Sequence, residues 1–244
     1  MNTVKFTTVS IIIPVFNEAK YIRQIVNRVK EAPIYNFHKE IIIIDDCSTD
    51  GSDKLIEEMI TPSVNNVSIQ FAKQPHNQGK GAAIKKGILM SKGDIIILQD
   101  ADLEYSPEEY PLLLQPIVED NADVVYGSRF ISTKPHRVLY FWHSIGNSFL
   151  TLLSNMFTNL NLSDMETGYK VFRGDLLRSI APKLVSKTFG FEPEITARIA
   201  KIPRIQIYEI GISYKGRTYQ EGKKIGWRDG VRAIFEIFRF NLFP

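Results

Sequence analysis

The sequence is poor in several of the features that usually narrow a function quickly. It holds one cysteine, Cys47, in 244 residues. That excludes an internal disulfide and a multi-thiolate metal centre, and it fits a reducing compartment. Charge imbalance is small as well. Thirty Lys and Arg stand against 27 Asp and Glu, a formal +3, so no global pull toward nucleic acid exists. Internal repeats and low-complexity tracts are missing, and 44% apolar with 23% charged residues are ordinary values for a globular chain. The length suits one large domain or two small ones. Residues 1–8 carry one lysine and no long apolar run, so no signal peptide is expected. No Gly-x-Gly-x-x-Gly follows the first apolar run. Gly79-Lys80-Gly81 lacks the earlier glycine and the following Ser or Thr of a P-loop.

What is present is a regular alternation. Residues 9–15, 40–44 and 95–98 are short apolar runs dense in isoleucine, and 67–72 alternates like a strand. Helical spacing fills 18–30, 52–60, 81–90 and 107–118, and a further strand is expected at 124–126. Continuous apolar strands are buried on both faces, and helices between them are crossovers. The pattern therefore predicts an α/β fold with an open, mainly parallel sheet flanked by helices. Downstream, helices are expected at 141–158, 174–180, 192–200 and 227–240, and strands at 168–172 and 205–213. Residues 131–137 and 215–224 read as loops.

In such sheets ligands bind beyond the carboxyl ends of the strands. Three successive strand ends carry carboxylates here: Glu18 after the first, Asp45 and Asp46 after the second, and Asp100, Asp102 and Glu104 after the third apolar run. Helix capping accounts for Thr49 or Asp50. It accounts poorly for Asp100 and Asp102, because the next helix starts several residues later. An Asp-Ala-Asp at a strand end brings two hard oxygen ligands to one site if the chain curls there. Such ligands suit Mg²⁺ or Mn²⁺ together with a substrate diphosphate.

The motifs Pro14-Val-Phe-Asn-Glu18, Asp45-Asp-Cys-Ser-Thr-Asp-Gly51, Asn77-Gln-Gly-Lys-Gly81, Asp100-Ala-Asp102 and Gly127-Ser-Arg-Phe130 occur in that order. Asp164-Met-Glu-Thr-Gly-Tyr169, Gly190-Phe-Glu-Pro-Glu194 and Gly216-Arg-Thr-Tyr-Gln-Glu-Gly-Lys-Lys-Ile225 follow them. The set resembles family 2 glycosyltransferases of the GT-A fold, and within them the dolichyl- or polyprenyl-phosphate sugar synthases. The resemblance spans nearly the whole chain. It implies that Pro14, Phe16, Glu18 and Asp46 line a base and ribose pocket. Asp100 would lie against the nucleotide, and Asp102 and Glu104 would sit with it at a divalent cation. Arg129 would meet a phosphate, Glu194 would lie near the sugar, and Arg217 with Lys224 would reach phosphate. Lys80 is read either as part of the nucleotide site or as a solvated lysine at a helix start. Cys47 departs from the glycine usual after the paired aspartates.

The resemblance implies a GDP- or UDP-sugar donor, a polyprenyl-phosphate acceptor and transfer with inversion. An anionic acceptor needs cationic positioning, whereas a hydroxyl acceptor needs a general base. Arg129, His136, Arg137, Arg173, Arg217, Lys223 and Lys224 offer the former. Asp164, Glu166, Glu192 and Glu194 offer the latter, although Glu192 and Glu194 are also favoured at a helix start by its dipole. The Gln-x-x-Arg-Trp motif of processive polysaccharide synthases is absent, which argues against a polymerising enzyme.

Two segments bear on membrane contact. Residues 138–163 carry no Lys, Arg, Asp or Glu over 26 positions. They hold too many polar side chains for a span of about 20 apolar residues. His143, Asn147, Thr151, Ser154 and Thr158 form one uncharged polar stripe among apolar residues. In the last helix Trp227, Val231, Ile234, Phe235, Phe238 and Leu242 form an apolar stripe beside Arg228, Arg232 and Arg239. Either helix suits core packing or shallow insertion into an anionic membrane surface. The expectation is a catalytic domain over 1–222 and an amphipathic helix over 223–244, peripheral at the cytoplasmic face of a membrane. Two alternatives stand beside it: the same fold with a saccharide hydroxyl acceptor, and a non-catalytic nucleotide-binding subunit that recruits a membrane-protein partner through the last helix.

Overall fold

The computed structural model describes residues 6–60, 66–131, 137–138, 140–217 and 227–243, with the backbone alone at Trp227 and Arg228. The first half follows the alternation read from the sequence. Strand β1 (Thr8–Val15) leads through helix α1 (Ile22–Glu31) to β2 (His38–Asp45). Helix α2 (Ser52–Glu57) precedes β3 (Val67–Lys73), and α3 (Lys80–Met90) crosses to β4 (Ile95–Leu98). Seven strands form one sheet in the order β3-β2-β1-β4-β6-β5-β7. β1 pairs in parallel with β2 on one side and β4 on the other. The strand order therefore reverses beside β1, and a crevice opens beyond its carboxyl end.

Burial explains the isoleucine runs. Ile11 and Ile13 join one core layer with Ile22, Ile25, Val26 and Val29 of α1. Ile12, one residue out of phase, joins the opposite layer with Ile84 and Ile88 of α3. Period-two alternation with both faces apolar is what two flanking helix layers require. Helix α1 starts at Ile22, later than the sequence spacing suggests. The Glu18 N–H is donated to Ser52 Oγ (3.0 Å) and the Ala19 N–H to Asp50 Oδ2 (2.9 Å), so residues 17–19 are tied to the neighbouring strand-end loop. The far end of α1 is closed by Lys39. Its Nζ donates to the carbonyls of Val29, Lys30 and Ala32, as a cation at a helix C-terminus should. Burial lowers that amine to about 8.

The helix expected over 107–118 divides. A 3₁₀ turn at Pro107–Glu109 precedes α4 (Tyr110–Glu119). Pro111 in the first turn and Pro116 inside α4 remove backbone donors.

Beyond β5 (Val124–Ser128) and α5 (Phe141–Thr158), β6 (Lys170–Arg173) runs antiparallel to both β4 and β5. The sheet is thus mostly parallel with one reversed strand. This reversal has a functional result. β6 begins beside the carboxyl end of β4, so the residues preceding it arrive at the crevice. Helices α6 (Gly174–Ile180) and α7 (Phe191–Ala200), strand β7 (Ile207–Gly211) and helix α8 (Trp227–Leu242) complete the chain. β7 pairs in parallel with β5.

Helices α5 and α8 bury faces that the sequence pattern alone does not identify. In α5 the polar stripe is the inner one: Thr151 and Ser154 are buried. Phe141, Trp142, Ile145, Phe149, Leu152 and Met156 are exposed, Trp142 to 79% and Met156 to 73%. In α8, Ala233, Ile237 and Phe240 pack inward, while Val231, Phe235, Phe238 and Leu242 are exposed. Most of the apolar stripe read from the sequence therefore faces outward. Phe157 of α5 meets Phe238 of α8 edge to face at 5.1 Å, which joins the two outer faces. Among the described residues no helix is long and apolar enough to cross a membrane.

Candidate active site

A cavity of about 410 Å³ opens at the crevice predicted by the topology. Pro14, Phe16, Glu18 and Asp46 line one end, Asp100, Asp102 and Glu104 the middle, and Arg129, Glu166, Glu192 and Tyr214 the other end.

The first end is assembled by backbone hydrogen bonds. Asn17 N–H donates to Ser48 Oγ (2.9 Å), and Asn17 Oδ1 accepts the Thr49 N–H (2.8 Å). Asp46 lines the cavity, and its carboxylate also anchors the next loop. It accepts the N–H groups of Gln78 and Gly79, both at 2.7 Å, and the amide of Gln74 at 2.8 Å. Gly79 has φ +95°, and a side chain there would overlap the Lys187 carbonyl. Cys47 takes φ +61°. That conformation favours glycine, which accounts for glycine being usual at the position the cysteine occupies.

In the middle, Leu103 adopts φ +62° and curls the chain after the aspartates. Both carboxylates line the cavity, and the turn that follows them holds a conformation that a branched residue rarely adopts. Asp100 Oδ1 pairs with Lys80 Nζ at 2.9 Å. Lys80 is not a solvated lysine: it lines the cavity and also reaches Glu192 Oε1 at 3.2 Å. Burial alone would lower its pKa, but the Asp100 and Glu192 carboxylates hold it well above the ordinary amine value. A Cβ at Gly168 would overlap Asp100 Oδ2, so the glycine before β6 makes room for that carboxylate.

Asp102 meets Arg217 Nη2 at 2.8 Å. Burial pushes the Asp102 carboxyl up to about 7, with Asp100 and Glu104 adding to the rise and Arg217 opposing it. Glu104 accepts the Tyr214 hydroxyl and the Arg217 N–H, both at 2.7 Å. Arg217 also faces Glu18 at 3.3 Å. Arg217 therefore sits within the acidic centre and balances its charge. Among the described residues no three acidic, His or Cys side chains are grouped as a ready-made metal site. Lys224, together with His136 and Lys223, lies outside the described residues.

At the far end, Arg129 forms a two-pronged pair with the buried Asp164, Nε to Oδ2 at 2.6 Å and Nη2 to Oδ1 at 2.7 Å. Its Nη2 also donates to Asn147 Oδ1 of α5 at 3.0 Å. Glu194 is the one proposed site residue among the described residues that the structure turns away. Its carboxylate accepts the N–H groups of Val185 and Ser186 and pairs with Arg198 at 2.7 Å. Residues two apart on a helix point roughly 200° from each other, so only one of Glu192 and Glu194 can face the cavity. That one is Glu192. Burial, then the neighbouring Glu192 charge, pushes Glu166 up to about 8, against the pull of Lys170 and Arg129. Burial lowers Lys170 to about 8 in return. Tyr105, Thr188 and Phe189 also line the cavity. Sequence reasoning passed over them because nothing local distinguishes them from core or loop residues.

The cavity thus brings the strand-end carboxylates together with the paired cations Lys80, Arg129 and Arg217. Residues 10–180 match the family model described as glycosyl transferase family 2. The chain is 28% identical over 241 residues to the undecaprenyl-phosphate mannosyltransferase of Micrococcus luteus, covering 95% of this chain and 93% of that protein. It is 27% identical over 244 residues to the UDP-N-acetylglucosamine--dolichyl-phosphate N-acetylglucosaminyltransferase of Methanococcus voltae, covering 95% of each. The glucosyl-3-phosphoglycerate synthase of Mycobacterium tuberculosis, solved with Mn²⁺, UDP and glucosyl-3-phosphoglycerate, matches with a TM-score of 0.68 at 17% identity. That match covers 98% of this chain and 81% of the other. At such identity the likeness speaks for the fold, which is GT-A. With a family match over most of its length, the chain is a glycosyltransferase and belongs to glycosyl transferase family 2.

Proposed function

We propose that this enzyme moves one sugar from a GDP- or UDP-sugar to a polyprenyl phosphate, with inversion, while bound peripherally at the cytoplasmic face of a membrane. Residues 1–222 would be the catalytic domain, and 223–244 would help hold it to lipid. The observation that carries this reading is the inverted helix α5. Its polar stripe faces the protein and reaches the site through Asn147 and Arg129. Its apolar residues face outward and continue into the outer face of α8. A lipid phosphate needs both surfaces, an apolar one for its chain and a cation for its head, within one helix diameter. The two relatives named above act on polyprenyl phosphates by name, which agrees with this assignment.

The donor would lie with its base and ribose against Pro14, Phe16, Glu18 and Asp46 and its diphosphate near Asp100 and Asp102. Hard carboxylate oxygens suit Mg²⁺ or Mn²⁺, so Asp100, Asp102 and Glu104 would hold such a cation together with the donor diphosphate, and the Asp100 and Glu104 charges, which add to the rise that burial causes in Asp102, are ones a divalent cation would offset. When bound, such a cation offsets the charge that builds on the leaving diphosphate. An oxygen of the acceptor phosphate attacks the anomeric carbon, the bond from that carbon to the diphosphate breaks, and the nucleoside diphosphate leaves. The attacking phosphate is already an anion near neutral pH, so Arg129 orients it and no side chain need remove a proton. A membrane extract incubated with enzyme and labelled donor tests this: a lipid product that releases its sugar in mild acid is expected. A product stable to mild acid, a true glycoside, would sink the reading in favour of a hydroxyl acceptor.

A further inference from the structure

We infer that Tyr214 is a positioning residue shared by the two halves of the site: its hydroxyl fixes Glu104 beside the diphosphate, and its ring fixes the Arg129 guanidinium that meets the acceptor phosphate. The inference rests on the roles proposed above for Glu104 and Arg129, and it adds the one side chain that sets both.

The backbone places Tyr214 between the two. β7 pairs in parallel with β5, and the pairing continues past its end, where the Ile212 N–H donates to the Ser128 carbonyl at 2.9 Å. The chain beyond β7 therefore travels beside Arg129, the residue that follows β5. It then joins the turn after β4. The Lys215 N–H donates to the Glu104 carbonyl at 3.0 Å, and the Arg217 N–H to Glu104 Oε1 at 2.7 Å. Tyr214 is only 7% exposed, yet it lines the cavity. Gly216 leaves room for its ring, since a Cβ there would come within 2.7 Å of Tyr214 Cε1. Tyr105 packs against the same ring at 5.4 Å between centroids.

Two separate parts of the side chain make the two contacts. The hydroxyl donates to Glu104 Oε2 at 2.7 Å. A carboxylate that holds a metal is oriented by hydrogen bonds of this outer kind. The ring lies 5.2 Å from Arg129 Cζ, within cation–π range. Asp164 holds the guanidinium through Nε and Nη2, and Asn147 through Nη2. Among the described residues no hydrogen bond takes Nη1. One edge of the guanidinium is thus set by a carboxylate and one face by the tyrosine, and one amino group is left for a phosphate. A tyrosine that only filled the core would serve neither half, and losing it would disturb both alike.

Two variants of the whole chain separate the contacts. Tyr214→Phe keeps the ring and drops the hydroxyl, whereas Tyr214→Leu drops both. Melting curves check that each folds. Isothermal titration with UDP and with GDP, each with Mn²⁺ and each with EDTA, reads the Glu104 contact. Both variants should bind the diphosphate that wild type prefers about tenfold more weakly with Mn²⁺, the scale of losing an outer partner of a metal ligand, and as wild type does with EDTA. Titration of the chain saturated with Mn²⁺ and that diphosphate with farnesyl phosphate, a short polyprenyl phosphate, reads the Arg129 contact. Tyr214→Phe should bind it as wild type does. Tyr214→Leu should bind it about tenfold more weakly, the scale of a partly desolvated cation–π contact. Added to Arg129→Ala, Tyr214→Leu should cost farnesyl phosphate nothing further, because the ring acts through the guanidinium.

Equal farnesyl phosphate losses in the two variants, a further loss on top of Arg129→Ala, or a nucleotide loss that persists in EDTA would show a tyrosine that only packs, and would overturn the inference. Unweakened binding of the Mn²⁺-loaded diphosphate by Tyr214→Phe would overturn it as well. A wild-type chain that binds neither diphosphate, or no farnesyl phosphate, would refute the reading on which the inference stands, and the inference with it.

Discussion

The two ends of the cavity are built differently. At the end lined by Pro14, Phe16 and Asp46, backbone N–H groups from three strand-end loops converge on Asn17, Asp46, Ser48 and Asp50. At the opposite end, side chains from distant segments hold one another in charge pairs, Arg129 with Asp164 and Lys80 with Glu192, and Arg217 continues the pattern through the middle with Asp102 and Glu18. The first end is a rigid cradle that a local motif encodes. The second is a set of exchangeable ion pairs whose partners lie far apart in the chain.

The largest expected effect lies where the ends meet. Asp102→Ala should lower transfer by about a thousandfold, the scale of losing a main electrostatic contact to the leaving group, measured as labelled sugar entering the lipid fraction. Unchanged turnover would refute the role given to Asp102. Gly168→Ala should approach the same loss without touching a charge, because its Cβ would displace the Asp100 carboxylate. Near-normal activity would mean that Asp100 need not stay where it is.

The two ends should then separate. Arg129→Ala is expected to reduce kcat/KM for the lipid phosphate by about a hundredfold, as expected for a charge-assisted contact to phosphate, while donor affinity holds. A parallel fall in donor affinity would erase the distinction between the ends. A double change on the outer helix faces, Trp142→Asp with Phe235→Asp, should cut sedimentation with anionic phospholipid vesicles by about tenfold or more. It should leave donor binding alone, since both side chains are exposed, Phe235 to 64%.

A pH experiment sharpens the same contrast in the ligand-free protein. Glu166 is pushed up to about 8 from an ordinary 4.5. The native state therefore keeps a proton that the unfolded chain loses between these values. Its contribution to stability is complete below pH 4.5 and is lost as the pH rises through 8. Glu166→Gln should flatten the fall in melting temperature across that window, and an unchanged slope would contradict it. The smallest effect belongs to the cradle. Cys47→Gly should stabilise the fold by about 1 kcal/mol, since Cys47 holds a left-handed conformation that glycine adopts freely. Chemical denaturation would detect it, and a loss of stability would show that the thiol side chain packs usefully.

Most of the sheet and most of the cradle were legible in the sequence because both depend on short-range pattern. Isoleucine runs of strand length announce strands buried on two faces, and carboxylates just past their ends mark the crevice. The far end was less legible. Glu192 and Glu194 are alike in sequence, and only the rotation of α7 decides which one faces the cavity. The antiparallel setting of β6 left no local sign, although it delivers Glu166 and Gly168 to the site. The outer stripe of α8 was readable as apolar, but an apolar stripe does not say whether it faces protein or solvent.

By itself, the sequence determined the α/β class, the strand-end acidic centre and the order of motifs, since these follow from periodicity, burial and residues adjacent in the chain. Only the tertiary structure decided that Arg217 neutralises Asp102, that Lys80 links Asp100 to Glu192, and that α5 and α8 turn apolar faces outward. Each of those outcomes depends on which distant segments meet and on how each helix is rotated about its axis. Such choices are made by packing the whole core at once, and no single window of sequence contains them.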